Sequence, residues 1–217
     1  MLLAITSILT SLGNVILGLV VLRKNSNSPI NRSFFAFTVL LSVYISVSYL
    51  SVLLESALLF KSTFAISILL KITAIVWIIS LCKGITKKTA ISLYSIALVL
   101  MTGILFEGFM VKNILFNGSG FDYEMGTGSP LSLMFSIAIV LYGTYLLVKT
   151  AIKEKGLIRK KLFIITIGIV SYAILSFITS VLLPSIGMSS LTFLDIPESL
   201  IFISLLSYAM IKFKLRD

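Results

Sequence analysis

Long apolar runs alternate with short polar breaks along this 217-residue chain, and cations gather at every second break. Of 18 Lys and Arg residues, 15 fall there: Arg23, Lys24 and Arg32; Lys83, Lys87 and Lys88; Lys149, Lys153, Lys155, Arg159, Lys160 and Lys161; and Lys212, Lys214 and Arg216. Lys61 and Lys112 mark the intervening breaks, and Lys71 lies inside a run. Six of the eight acids (Glu55, Glu107, Asp122, Glu124, Asp195 and Glu198) sit near the cation-poor breaks. Cytoplasmic loops retain Lys and Arg because translocating them is unfavourable. The pattern predicts an all-α membrane protein: one domain over residues 1–217, a bundle of seven transmembrane helices with the N-terminus outside and the C-terminus cytoplasmic.

The spans drawn from the apolar runs are 2–22, 34–54, 62–82, 89–109, 131–148, 162–183 and 196–211. Each is long enough, or nearly so, to cross roughly 30 Å of hydrocarbon. The runs lack the period-2 alternation of barrel strands, so helices are the expected form. The first run has no positive n-region and reads as a retained helix, not a removed leader. All four prolines fall at expected helix ends. Ser28-Pro29 and Ser129-Pro130 offer a capping hydroxyl before a first-turn proline, and Asp195-Ile196-Pro197-Glu198 reads as an acid cap with a glutamate three residues on. Residues 112–129 form the longest break, turn-rich through Asn117-Gly118-Ser119-Gly120 and Gly126-Thr127-Gly128, and able to fold over the outer mouth of the bundle.

Composition agrees: 58% apolar, 12% charged and a mean hydropathy of +1.12 lie outside the range of soluble domains. The +10 charge is spread over four juxtamembrane segments, which points to anionic lipid headgroups at the inner face and away from nucleic acid. With one cysteine, Cys82, the chain forms no internal disulfide. The absence of histidine removes His-ligated metals and His general bases. No paired-carboxylate metal motif appears and Gly118-Ser119-Gly120 has no histidine to activate its serine, so neither an enzyme nor a cofactor is expected. A retinal Schiff base lacks its lysine in the seventh run, and the signatures of animal receptors are missing.

Polar residues inside the spans recur at helical spacing. Tyr44, Ser48, Ser51 and Glu55 share one face; so do Thr63, Ser67 and Lys71; the sixth run offers Gly168, Tyr172, Ser176 and Thr179. Such stripes ordinarily face other helices as packing surfaces. Lys71 stands out, about 13 Å below Ser62 along a helix. A central lysine costs about 2.5–3.5 kcal/mol on insertion scales, so it should face water or a partner. Glu55 is the expected partner, and Glu107 and Glu198, also at outer helix ends, would complete a polar chamber. The candidate ligand site is therefore Lys71, Glu55, Ser51, Ser48, Ser67, Glu107 and Glu198.

Two stretches carry a resemblance. Ser28-Pro29-Ile30-Asn31-Arg32-Ser33-Phe34-Phe35 resembles the entry to the second helix in the N-terminal seven-helix region of bacterial sensor histidine kinases. The ending Ser207-Tyr208-Ala209-Met210-Ile211-Lys212-Phe213-Lys214-Leu215-Arg216-Asp217 resembles that family's exit from its last helix toward cytoplasmic signalling domains, and Glu55 matches a Leu-Glu pair after its second helix. The resemblance implies a sensory module of a two-component system whose output segment is Tyr208, Lys212, Lys214 and Arg216, with a cytoplasmic signalling partner and a homodimer among its assemblies. The chain carries no phosphoacceptor histidine and no ATP-binding glycine motif, so the expectation is an input region without its kinase, in a bacterial cell membrane. A small transporter with a polar site around Lys71 and Glu55, or a membrane scaffold that does not sense, are the alternative readings.

Overall fold

In the computed structural model, which describes residues 2–104, 106–116, 121–183 and 194–212, seven α-helices and one β-hairpin are formed. The helices are α1 (Leu2–Lys24), α2 (Pro29–Leu53), α3 (Ala57–Lys83), α4 (Lys87–Ile104), α5 (Ser129–Lys153), α6 (Gly156–Phe177) and α7 (Asp195–Lys212). A π-helical turn, Ile178–Leu182, continues α6. Six helices are long and apolar enough to cross a membrane. The seventh, α7, is 18 residues long and carries Asp195 and Glu198 in its first turn and Lys212 in its last. The helices overrun the expected spans at most ends, because a helix continues into the headgroup layer after its apolar run stops. The segment 149–161 is accordingly not a loop: α5 reaches Lys153 and α6 starts at Gly156, and Lys161 is buried within α6.

Contacts between neighbours close a ring in the order α1, α2, α3, α5, α6, α7, with α4 packed outside against α3. The ring has an acidic end, holding Glu55, Asp195 and Glu198, and a basic end, holding Lys24, Lys83, Lys153 and Lys212. Large apolar side chains such as Ile8, Leu12 and Ile16 of α1, Leu98 and Val99 of α4, and Leu141 of α5 face outward. Apolar exposure on that scale is stable where lipid, not water, is the solvent. The interior is built on α3, whose Ile68, Ile72, Ile75, Trp77 and Ile78 are buried. An aromatic chain crosses it. Trp77 packs on Phe34 (5.2 Å) and Phe37 (6.1 Å), Phe37 meets Phe202 (6.1 Å), and Phe202 stacks on Tyr172 (4.5 Å).

Lipid supplies no hydrophobic drive between helices, so close packing and interhelical hydrogen bonds hold them together. At the α1–α2 seam Ser42 Oγ donates to the Ser11 carbonyl (2.9 Å), and the Ser11 and Ser46 hydroxyls lie 3.2 Å apart. Gly18 fits only because it lacks a side chain: a Cβ there would lie 2.0 Å from Thr38 Oγ1.

The turn between α2 and α3 shows how tightly the acidic end is built. Ser56 N–H bonds the Ser51 carbonyl (3.0 Å) and Glu55 N–H the Val52 carbonyl (3.3 Å), a Schellman pair that ends α2. Glu55 takes the left-handed position usual for glycine (φ +46°). Ser56 then caps α3, its hydroxyl accepting from Leu59 N–H. The expected caps elsewhere differ. Pro29 opens α2, but Ser28 makes no side-chain cap. Gly128 takes the cap position of α5, while Ser129 donates to the Met110 carbonyl.

The all-helical expectation fails at one place. Residues Val111–Phe116 (β1) and Phe121–Met125 (β2) pair as an antiparallel hairpin, and α4 ends at Ile104, short of the expected 109. Its base is clamped by Gly128 N–H to the Phe109 carbonyl (2.7 Å) and Gly126 N–H to the Met110 carbonyl (2.9 Å). The hairpin lies on the acidic end, where Tyr123 packs on Phe60 of α3 (5.3 Å) and burial pushes its phenol pKa up.

Candidate intramembrane polar site

Helix α3 places Lys71 midway along its length, 14 residues after Ala57, roughly 21 Å along the axis. Its ammonium donates to Ser67 Oγ at 2.8 Å, one turn back on the same helix. The expected pairing with Glu55 is not formed among the described residues. The reason is geometric: Glu55 occupies the exposed turn before α3 begins, and a lysine side chain cannot climb that distance. Ser51 is buried, but its hydroxyl donates to the Ser48 carbonyl at 2.7 Å, an ordinary bond within its own helix. Glu107 is exposed in the connection between α4 and the hairpin. The expected chamber of Lys71, Ser48, Ser51, Ser67, Glu55, Glu107 and Glu198 is therefore not one site.

A different constellation assembles at the acidic end. The Asp195 carboxylate accepts hydrogen bonds from Thr179 and Ser180, one hydroxyl on each oxygen. Those hydroxyls are presented by the π-helical turn of α6, where the widened backbone carries two successive polar side chains toward α7. Asp195, expected as a cap, thus ties α6 and α7 together. Tyr172 of α6 stacks on Phe202 of α7 (4.5 Å), while Tyr44 of α2 packs against the buried core. Glu198 lies one turn below Asp195, and its Oε2 is buried without a hydrogen-bond partner among the described residues.

One of the polar stripes seen in the sequence, Tyr172 and Thr179 of the sixth run, thus faces α7: Thr179 bonds Asp195 and Tyr172 stacks on Phe202. Chain order gives no spacing that joins Thr179 and Ser180 to Asp195, because the contacts run between α6 and α7. The signal that was present is local: an aspartate and a glutamate three residues apart share a face, and a Thr-Ser pair precedes them in the sixth run.

The same first turns of α7 face α1. Asn14, fully buried, donates from Nδ2 to Ser199 Oγ at 3.4 Å, a long contact, while Asn14 Oδ1 has no partner among the described residues. Ser7 Oγ on α1 and Ser207 Oγ on α7 are also buried without partners among the described residues. At the basic end Lys212 donates to the Tyr208 hydroxyl and lies 4.9 Å above its ring. Lys149 does the same with Tyr145 (5.2 Å), and Arg159 lies over Phe163 (5.6 Å). Lys214 and Arg216 of the expected output segment lie outside the described residues.

Fold and site together define a polytopic helical membrane protein with a polar cluster at one end of its bundle. The chain matches no protein-family model, and no curated protein or solved structure is significantly similar to it.

Proposed function

We propose that the chain is a sensory module of a bacterial cell membrane, with seven spans, the N-terminus outside and the C-terminus cytoplasmic. Helix α7 would carry its signal to a cytoplasmic signalling partner, while the basic end rests on anionic headgroups. The cation alternation supports the orientation, and the resemblance of the α2 entry and the α7 exit to histidine-kinase input regions supports the role.

The observation that carries the reading is the seam around α7. Four buried polar atoms on α1 and α7 lack partners among the described residues: Ser7 Oγ and Asn14 Oδ1 on α1, Glu198 Oε2 and Ser207 Oγ on α7. A buried polar group left unpaired costs about 1–3 kcal/mol. A second arrangement of α7 that pairs some of them can therefore compete with this one, and a ligand that binds the two arrangements unequally shifts their populations. Asp195 links α7 to the outer cluster, and the Tyr208–Lys212 pair marks its exit.

The test is a fusion of a histidine-kinase catalytic region after Asp217, with autophosphorylation measured in vesicles. Asp195→Asn and Asn14→Leu, which alter the seam at two separate points, should change the basal phosphorylation level. Output identical in wild type and both variants, with all three folded, would sink the sensory reading.

A further inference from the structure

Two lysines stand apart from the basic end and share one place. Lys61, in the second turn of α3, and Lys112, in β1, line an open cleft of about 420 Å³ together with Glu107, Asn113, Ala57 and Ile114. That volume falls within the roughly 300–1,000 Å³ usual for small-molecule sites. Neither lysine, nor Glu107, has a hydrogen-bond or ion-pair partner among the described residues.

The strand register would ordinarily supply Lys112 with one. Its cross-strand partner is Glu124, and opposite charges facing each other across a ladder attract. Instead β1 bulges at Asn113 (φ +29°), and the Asn113 amide donates to Glu124 Oε2 at 3.2 Å. A bulge re-aims side chains, and Lys112 forms no ion pair with Glu124 among the described residues, the Glu124 Oε2 accepting from Asn113 instead. The height of the cleft is also defined. Lys61 and Lys83 are separated by 22 residues of α3, roughly 33 Å, so Lys61 lies one hydrocarbon thickness from the basic boundary, at headgroup level.

We infer that this cleft binds a zwitterion bearing an oxyanion and a primary ammonium, the oxyanion between Lys61 and Lys112 and the ammonium on Glu107. Phosphate suits two lysines, which act as strongly hydrated point charges with rotatable donors, and the single carboxylate selects for a cationic tail over bare phosphate. A phosphatidylethanolamine headgroup and soluble phosphoethanolamine share this chemistry. The inference does not depend on the sensory reading, since binding is measured without any kinase output.

The experiment has two arms on the full chain. Soluble phosphoethanolamine is titrated calorimetrically into protein in a neutral detergent. In parallel, lipid retained from phosphatidylglycerol nanodiscs with and without phosphatidylethanolamine is counted by native mass spectrometry. Saturable binding in the first arm identifies a free ligand; selective retention of phosphatidylethanolamine in the second identifies the headgroup. Lys112→Ala should weaken the observed binding about tenfold or more, the loss of one charged hydrogen bond. Glu107→Gln should abolish the preference over orthophosphate or phosphatidylglycerol while phosphate binding persists. Each variant's melting temperature without ligand checks that it folds. Absence of binding in both arms, or full binding by folded Lys61→Ala/Lys112→Ala protein, would overturn the inference.

Discussion

Replacing Lys71 with leucine should stabilise the membrane-inserted chain. Lys71 lies 14 residues from the start of α3 and 12 from its end, roughly 21 and 18 Å along the axis. A snorkelling lysine reaches part of that distance at most, so its charge stays within the hydrocarbon. Its one hydrogen bond is to Ser67 on the same helix, and no carboxylate pairs with it among the described residues. On insertion scales a central lysine costs about 2.5–3.5 kcal/mol and a central leucine contributes about −0.3 to −0.6 kcal/mol. Lys71→Leu should therefore favour insertion of α3 by about 3–4 kcal/mol. Folding within the membrane loses only the Ser67 bond, about 0.6 kcal/mol by the average for such bonds. Translocon-insertion efficiency of the Ala57–Lys83 segment measures the first quantity, and reversible unfolding of the full chain in mixed micelles measures the second. A loss of more than about 2 kcal/mol in folding stability would refute the reasoning, because penalties of that size follow from leaving a buried partner charge unpaired. If the variant folds and the kinase fusion loses its response, Lys71 is retained for function and not for stability.

Four further substitutions test the packing and backbone geometry of the bundle. Gly126→Ala would set a Cβ 2.2 Å from the Phe109 carbonyl and 2.4 Å from that of Gly108, both backbone atoms, so the hairpin base must open; loss of amide-exchange protection in β1 and β2 is expected, and unchanged protection would show the clamp to be wrong. Gly18→Ala should cost about 1–3 kcal/mol by overpacking. Adding Thr38→Ala removes the oxygen at 2.0 Å and leaves only Thr38 Cβ at 2.9 Å, so the pair should couple by more than about 0.5 kcal/mol in a double-mutant cycle; simple additivity would place α1 and α2 in another register. Glu55→Gly should raise stability by about 1 kcal/mol, since the left-handed position penalises any residue with a Cβ; a lower melting temperature would mean the carboxylate has a partner that outweighs the strain.

The helical frame was legible because two independent signals coincide: apolar runs long enough to span, and cations at alternate breaks. The hairpin was legible too, but easily passed over. Phe121-Asp122-Tyr123-Glu124-Met125 alternates strictly, the signature of a half-buried strand, yet its apolar residues read equally as scattered content of a turn-rich loop. The polar site was not legible as a unit. Tyr172, Thr179 and Asp195 each sit where a periodic stripe or a cap explains them locally, and only the packing of α6 on α7 brings them together. Lys71 and Glu55 failed as a pair for the complementary reason: both are conspicuous in sequence, but α3 starts at Ala57, five residues before the apolar run suggested, which pushes Lys71 further from the turn.

The basic end supplies a reference plane from which the depth of the cluster follows. Helices α5 and α7 run toward that end and α6 runs away from it, yet in all three cation–aromatic pairs the ring lies on the bundle side and the charge beyond it: Tyr145 before Lys149, Tyr208 before Lys212, and Phe163 after Arg159. Reversal of chain order with chain direction is what a bilayer boundary imposes, rings at the headgroup level and cations snorkelling outward. Measured from these rings, Thr179 lies 16 residues along α6 and Asp195 lies 13 residues along α7, roughly 24 and 20 Å. Against about 30 Å of hydrocarbon, the cluster is recessed by roughly 6–10 Å below the opposite boundary. Asp195, half-buried at that depth, takes the hydroxyls of the π-helical turn. Any movement of α7 along its axis must break or remake those two bonds, so the position of the helix and the state of the cluster are one variable.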